Sequence, residues 1–99
     1  LIFDEVDAGI GGAVASTIGT HLRGLGDVRQ VICITHLASI AARAHAHFVV
    51  DKTVREDRTM TTVREVSDDQ RVKEIARMLA GDTDQETALA HARELLDQL

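Results

Sequence analysis

Three carboxylates fall within four positions in "LIFDEVDAGIGG", the first twelve of the chain's 99 residues: Asp4, Glu5 and Asp7. They follow the apolar run Leu1, Ile2 and Phe3, which predicts a short buried strand over residues 1–4 that stops at charge. Adjacent strand residues point to opposite faces, so Asp4 and Glu5 are not expected to share one task. Such a pair suits phosphoryl transfer. One carboxylate can hold a hydrated Mg²⁺, an ion that keeps several waters and takes one or two protein carboxylates. The next can polarise an attacking water. An apolar strand running out into a charged loop has the same local pattern, so the stretch needs company before it implies a reaction.

That company is "VICITH" (31–36). The apolar, β-branched residues around it predict a second strand over 30–35, covered on both faces as a central parallel strand is. Between the two strands, Gly9, Gly11 and Gly12 mark a loop. Ile10, Val14, Ile18, Leu22 and Leu25 then recur at helical spacing and predict a helix over about 12–24, with Gly24 and Gly26 at its end. A short Ala-rich helix over about 37–44 follows the second strand. Strand, helix, strand, helix argues for an α/β layer with parallel strands. In open sheets of this kind ligands sit at the carboxyl ends of the strands. If the two strands are neighbours, His36 reaches the same edge as Asp4 and Glu5. A neutral imidazole there could donate to a terminal phosphate or hold a water.

The pattern then changes. "HAHFVVDK" and "TMTTVREV" predict a hairpin turning at Arg55-Glu56-Asp57-Arg58. Ser67 with Gln70, and Thr83 with Glu86, are capping-box pairs that predict two helices. The first would turn Val72, Ile75, Ala76 and Leu79 inward and end at Gly81. The second would turn Ala88, Ala92, Leu95, Leu96 and Leu99 inward. Pro is absent, and no repeat or linker interrupts the chain.

Composition removes several classes. The net charge of −5 argues against docking on DNA by bulk electrostatics. Phe3 and Phe48 are the only aromatic residues, too few for a base-stacking platform. Cys33 is the single cysteine, so no internal disulfide forms, which fits a reducing cytoplasm. No apolar run is long enough to span a membrane, and no signal-peptide pattern is present.

"LIFDEVDAGIGG", "QVICITHLASIAARA", "EIARMLAG" (74–81) and "ALAHARELL" (88–96) together closely resemble the C-terminal head segment of the RecN family, bacterial DNA double-strand-break repair ATPases grouped with the SMC and ABC-type ATPases. The resemblance covers nearly the whole chain, the hairpin least. It implies an α/β P-loop NTPase head fragment: parallel core strands with flanking helices, a β-hairpin and two C-terminal helices. Within it Asp4 matches the Walker B aspartate that holds Mg²⁺ through water. Glu5 matches the catalytic glutamate that activates the hydrolytic water. Asp7, with Ala8 and Gly9, matches the D-loop that crosses between two heads, and His36 matches the switch histidine that senses the γ-phosphate. ATP and Mg²⁺ are the implied ligands. Implied partners are the N-terminal part of the same head, a second head in a homodimer, and double-stranded DNA through the complete protein, all in the bacterial cytoplasm at the nucleoid. The chain departs from the family's frequent Thr and Ser at Ala8 and Gly11, and from Pro-Gln at Ala38-Ser39.

No Gly-x-x-x-x-Gly-Lys phosphate loop is present, and both lysines, Lys52 and Lys73, lie outside any glycine loop. The 99 residues are therefore expected to be one part of a head, beginning mid-strand and inactive alone. Two other classes fit parts of the sequence: a non-catalytic α/β interaction module, and a divalent-metal phosphatase or nuclease using Asp4, Glu5 and Asp7 as direct ligands. His45 and His47 would share a strand face. With neither a third ligand at suitable spacing nor a Cys pair, they read as partly exposed strand histidines rather than a zinc site, as do His21 and His91 for their elements. Arg23, Arg29, Arg43, Arg71, Arg77 and Arg93 read as solvated surface residues, with Lys73 and Arg77 flanking Glu74.

Overall fold

A computed structural model describes residues 1–4, 12–80 and 85–98. Strand β1 (Ile2–Asp4) and strand β2 (Ile32–Ile34) pair in parallel, in the register Ile2↔Ile32, Phe3↔Cys33 and Asp4↔Ile34. Helix α1 (Gly12–Gly26) makes the crossover between them, as a parallel pair requires. The strand–helix–strand reading therefore holds, with β2 three residues long rather than six. The expected cover on both faces does not. Phe3 and Cys33 are half-buried, but Ile2 is 73% exposed, Ile32 51% and Ile34 52%. With only two strands in the layer, one face has nothing described against it.

Helix α2 (Ala38–Ala41) is a single turn, shorter than the sequence suggests. It packs against α1 through small residues. Ala15 is fully buried, whereas Val14, one of the periodic apolar positions, is 52% exposed. Gly19 explains the difference. A Cβ built there would stand 3.0 Å from Arg43 Cγ, 3.1 Å from the Ser39 carbonyl oxygen and 3.3 Å from Ile40 Cα. The two helices approach too closely for a larger residue, so the contact stripe is Ala15–Gly19 and not the Val14–Ile18–Leu22 row.

Strands β3 (His47–Arg55) and β4 (Arg58–Val66) form the predicted antiparallel hairpin, from His47↔Val66 to Arg55↔Arg58. Its two-residue turn has φ 49° at Glu56 and 63° at Asp57, the paired left-handed geometry of a type I′ turn. Only the base of the hairpin is covered: His47, Val49 and Val66 are buried, and residues 50–65 are exposed.

Helices α3 (Asp68–Ala80) and α4 (Gln85–Asp97) follow. Ser67 precedes α3 as expected, its carbonyl accepting from the Gln70 and Arg71 amides. The Gly81 stop, the Thr83 cap and Leu99 lie outside the described residues. Ala38, Ala41 and Ala42 from the α2 region, Ile75 and Ala76 from α3, and Ala88, Ala92 and Leu95 from α4 make one core cluster. Val72, Leu79 and Leu96 pack on its margin, so the inward faces read from periodicity are the ones buried. Ile75 is the largest fully buried side chain. Six of the eight core residues are alanine, so this core gains stability from close backbone approach more than from large apolar side chains.

Replacing Gly19 by Ala should lower the thermal midpoint, although Ala is the better helix former by about 1 kcal/mol. Gly24→Ala is the matched control, since a Cβ there meets nothing within 4 Å, and it should raise the midpoint. Equal shifts of the same sign in calorimetry would contradict the close α1–α2 contact.

Candidate functional site

Parallel register decides what meets at the sheet edge. Asp4 ends β1 opposite Ile34, the last residue of β2. His36 stands two residues beyond Ile34, and both Asp4 and His36 are exposed. The predicted neighbourhood of these two residues at the carboxyl ends of adjacent parallel strands is thus present. Glu5, Asp7, Ala8 and Gly9 lie outside the described residues, as does Gly11. Cys33 sits half-buried in β2 opposite Phe3.

The chain leaves β2 through a tight turn. The Leu37 amide donates to Thr35 Oγ1 at 3.0 Å, closing a loop around His36 of the kind Ser and Thr side chains form with the backbone two residues on. Leu37, in extended conformation, then caps α2 without a side-chain hydrogen bond of its own.

At the other end of α2 the Ala41 carbonyl accepts from the Ala44 amide at 3.2 Å, but so short a helix leaves its following carbonyls in need of further donors. Two arginines supply the donors. Arg71 Nη2 donates to the carbonyl oxygens of Ala41 (3.2 Å), Ala42 (3.3 Å) and Ala44 (2.8 Å). Arg23 Nη1 donates to the carbonyl oxygen of Arg43 at 2.7 Å. Arg43 itself is 8% exposed. Its guanidinium reaches the Leu95 carbonyl (3.3 Å), Gln98 Oε1 (2.7 Å) and Ser16 Oγ (3.4 Å), joining α4 and α1 to the same corner.

These contacts correct the reading of Arg23, Arg43 and Arg71 as solvated surface residues. Their side chains carry the donors that a buried Ala-rich turn lacks. Nothing in residue type or spacing marks them, because their partners are backbone carbonyls contributed by another element. Burial, and then the nearby Arg23 charge, lower the Arg71 pKa; an arginine nonetheless keeps its charge. Glu74 is buried and held by Arg77, whose Nε and Nη2 reach its carboxylate at 2.5–3.1 Å. That hydrogen-bonded pairing raises the Arg77 pKa above its ordinary value.

The two histidines at the hairpin base do not share a face. His45 precedes β3 and bonds Asp27 Oδ1 through Nε2 at 2.8 Å. His47 is 9% exposed, with Nδ1 buried and lacking a hydrogen-bond partner. No group of three or more His, Cys, Asp or Glu among the described residues is arranged to hold a metal. No helix among them is long and apolar enough to cross a membrane.

Comparison with known proteins fixes the lineage. The DNA repair protein RecN of Deinococcus radiodurans is 57% identical over 96 residues, covering 97% of this chain. RecN of Treponema pallidum is 54% identical over the same length, and RecN of Xylella fastidiosa 43% over 99 residues. The chain belongs to the RecN family. It spans about 17% of the length of the first two RecN relatives and 18% of the third. No protein-family model matches it. A solved structure from work on ATP-driven dimerization and DNA-stimulated activation of SMC ATPases matches with a TM-score of 0.63 at 19% identity. The match covers 81% of this chain and 47% of that one. Over the matched residues this segment therefore shares the fold of part of that SMC ATPase chain.

His47 gives the fold a pH dependence. Burial, and then the Arg71 charge, lower its pKa below the ordinary 6.5, with Glu74 pulling the other way. The unfolded chain therefore takes up this proton before the folded chain does. The His47 contribution is whole above about pH 6.5 and is lost as pH falls towards the lowered folded value. Urea midpoints should drop between pH 7.5 and 5.5, and drop less in His47→Gln. An identical fall in parent and variant would show that His47 is not the group responsible.

Proposed function

We propose that this segment carries the metal-holding and water-activating carboxylates of an ATP-hydrolysing head that works in bacterial DNA double-strand-break repair and recombination. The observation that supports it most directly is the parallel pairing of β1 with β2, with Asp4 and His36 on one sheet edge. The RecN relatives supply the DNA-repair context, and the likeness to SMC ATPases supports the kind of fold.

In this reading ATP is the substrate. Mg²⁺, when bound, neutralises charge on the phosphate oxygens. Asp4 would hold it through water. The residue fits that task, because its acceptor-only carboxylate is exposed at the carboxyl end of a parallel strand, and hard hydrated cations take such oxygens. Glu5 orients the attacking water and draws its proton. His36, as a neutral imidazole, donates a hydrogen bond to the γ-phosphate from the neighbouring strand end. Asp7, with Ala8 and Gly9, reaches a second head, so that two copies enclose ATP between them.

The remainder of the head supplies the phosphate loop. The uncovered face of β1 and β2 supports this division. Parallel strands are ordinarily covered on both sides, and Ile2, Ile32 and Ile34 are more than half exposed. Further strands and helices of the same head would bury them. Double-stranded DNA is engaged through the complete protein in the bacterial cytoplasm, since this segment is acidic.

In the complete protein, Glu5→Gln should slow steady-state phosphate release by about 10²–10⁴-fold, the scale of a general base, while nucleotide binding persists. Unchanged turnover would remove Glu5 from this role. Asp4→Ala should instead weaken Mg²⁺-dependent nucleotide binding, read by titration with and without chelator. The 99 residues alone should give no phosphate release, and turnover by the isolated segment would contradict the division of the head.

A further inference from the structure

The register of β3 with β4 sorts the hairpin into two faces. One face carries His47, Val49 and Val66, the residues buried at the base. Beyond the base this face turns largely polar: Asp51 lies opposite Thr62, Thr53 opposite Met60, and Arg55 opposite Arg58. The other face carries Phe48, Val50 and Val54, with Val63 opposite Val50. These four are 57–72% exposed. Thr59 and Thr61 stand beside them, Glu65 lies at the base end opposite Phe48, and Lys52 is the one charge within the stripe. A lysine stem is apolar, and its ammonium can stay in water at the rim of a covered face.

Antiparallel strands with one wet side carry their apolar residues on the covered side. Beyond the base of this hairpin the apolar side is the uncovered one. A two-stranded ribbon is marginal until a further layer or strand lies against its apolar face, and a contiguous exposed apolar patch marks a contact surface. Composition then separates two kinds of partner. Contacts between separately folded proteins are enriched in Tyr, Trp, Met and Arg, whereas permanent ones resemble a domain core. One Phe and three Val beside two Thr have the make-up of a sheet interior. The chain spans about 17% of the length of two RecN relatives. Ile2, Ile32 and Ile34 of the parallel pair are exposed in the same way.

We propose that the face formed by Phe48, Val50, Val54 and Val63 is where the remainder of the same head docks on the hairpin. The hairpin then serves two cores. Its base packs on this segment, and its outer face belongs to a core that the rest of the polypeptide completes. The proposal rests on the reading of these 99 residues as one part of a head.

The test is thiol labelling of the complete protein with N-ethylmaleimide, read peptide by peptide in the mass spectrometer. In Val54→Cys and Val63→Cys the introduced thiol should react at least about 10-fold more slowly in the folded protein than in urea, as a site does that is reached only by local opening. The protection should not depend on protein concentration. Reaction at the unfolded rate at both positions would overturn the proposal. Protection lost on dilution would overturn it in favour of a second copy. Ile32→Cys and Ile34→Cys separate this proposal from the reading beneath it. Protection at those two with free labelling at Val54 and Val63 would remove the hairpin face from the contact and leave the division of the head standing. Free labelling at all four in a folded protein would overturn both. If the hairpin variants do not fold by thermal melting, hydroxyl-radical oxidation of the unsubstituted protein carries the test. Phe48 should then be protected, and its oxidation at the unfolded rate would overturn the proposal.

Discussion

Backbone carbonyls at a helix end must find donors, and in this chain that demand organises the whole segment. The end of α2 presents the oxygens of Ala41, Ala42, Arg43 and Ala44, and two guanidinium groups from α1 and α3 meet all four. Arg43, from the same corner, reaches back to α1 and out to the end of α4. Positive charge at a helix C-terminus is also favoured by the helix dipole. Every described helix therefore touches one small polar hub, which is placed where side chains are too small to exclude water by bulk alone.

Small side chains and arginines are two halves of one arrangement. Alanine dominates the α2–α3–α4 core, and glycine at position 19 lets α1 lie close against it. Close approach brings carbonyls within reach of long side chains from the neighbouring helices. Larger core residues would separate the helices and take the arginine donors from the oxygens of Ala42, Arg43 and Ala44, at a desolvation cost of about 1–3 kcal/mol each, while Ala41 would keep the Ala44 amide. Arg43 Nε, Arg71 Nε and His47 Nδ1 are buried without partners, so the hub is not fully satisfied.

Much of this fold was legible in the sequence, for reasons particular to each element. The β-branched run ending in "ICITH" and the crossover before it are local patterns, and they gave the parallel pair. The Glu56-Asp57 turn and the inward faces of α3 and α4 follow from turn chemistry and from a period near 3.6. The errors share one cause. Val14 was periodic but faces outward, α2 is half its expected length, and Ile32 and Ile34 lack cover. Each depends on how tightly a distant element approaches, or on whether one is there at all, and neither is written in local spacing. Of the candidate site, Asp4 and His36 were placed together correctly by topology. The arginines that organise the corner behind His36 were missed because backbone acceptors have no sequence signature.

The parallel pairing of β1 with β2 has a consequence in time. The β3–β4 hairpin joins neighbours through a two-residue turn, and such hairpins close in about 1–10 μs. The α3–α4 contact is nearly as local. Phe3 can meet Cys33 only after the intervening helix has formed and docked, and contacts at such separation are made late. The hairpin is therefore expected to close before β1 pairs with β2. In pulsed hydrogen exchange the hairpin amides would gain protection before those of β1 and β2. A newly made chain would carry its hairpin before it carried the edge that bears Asp4.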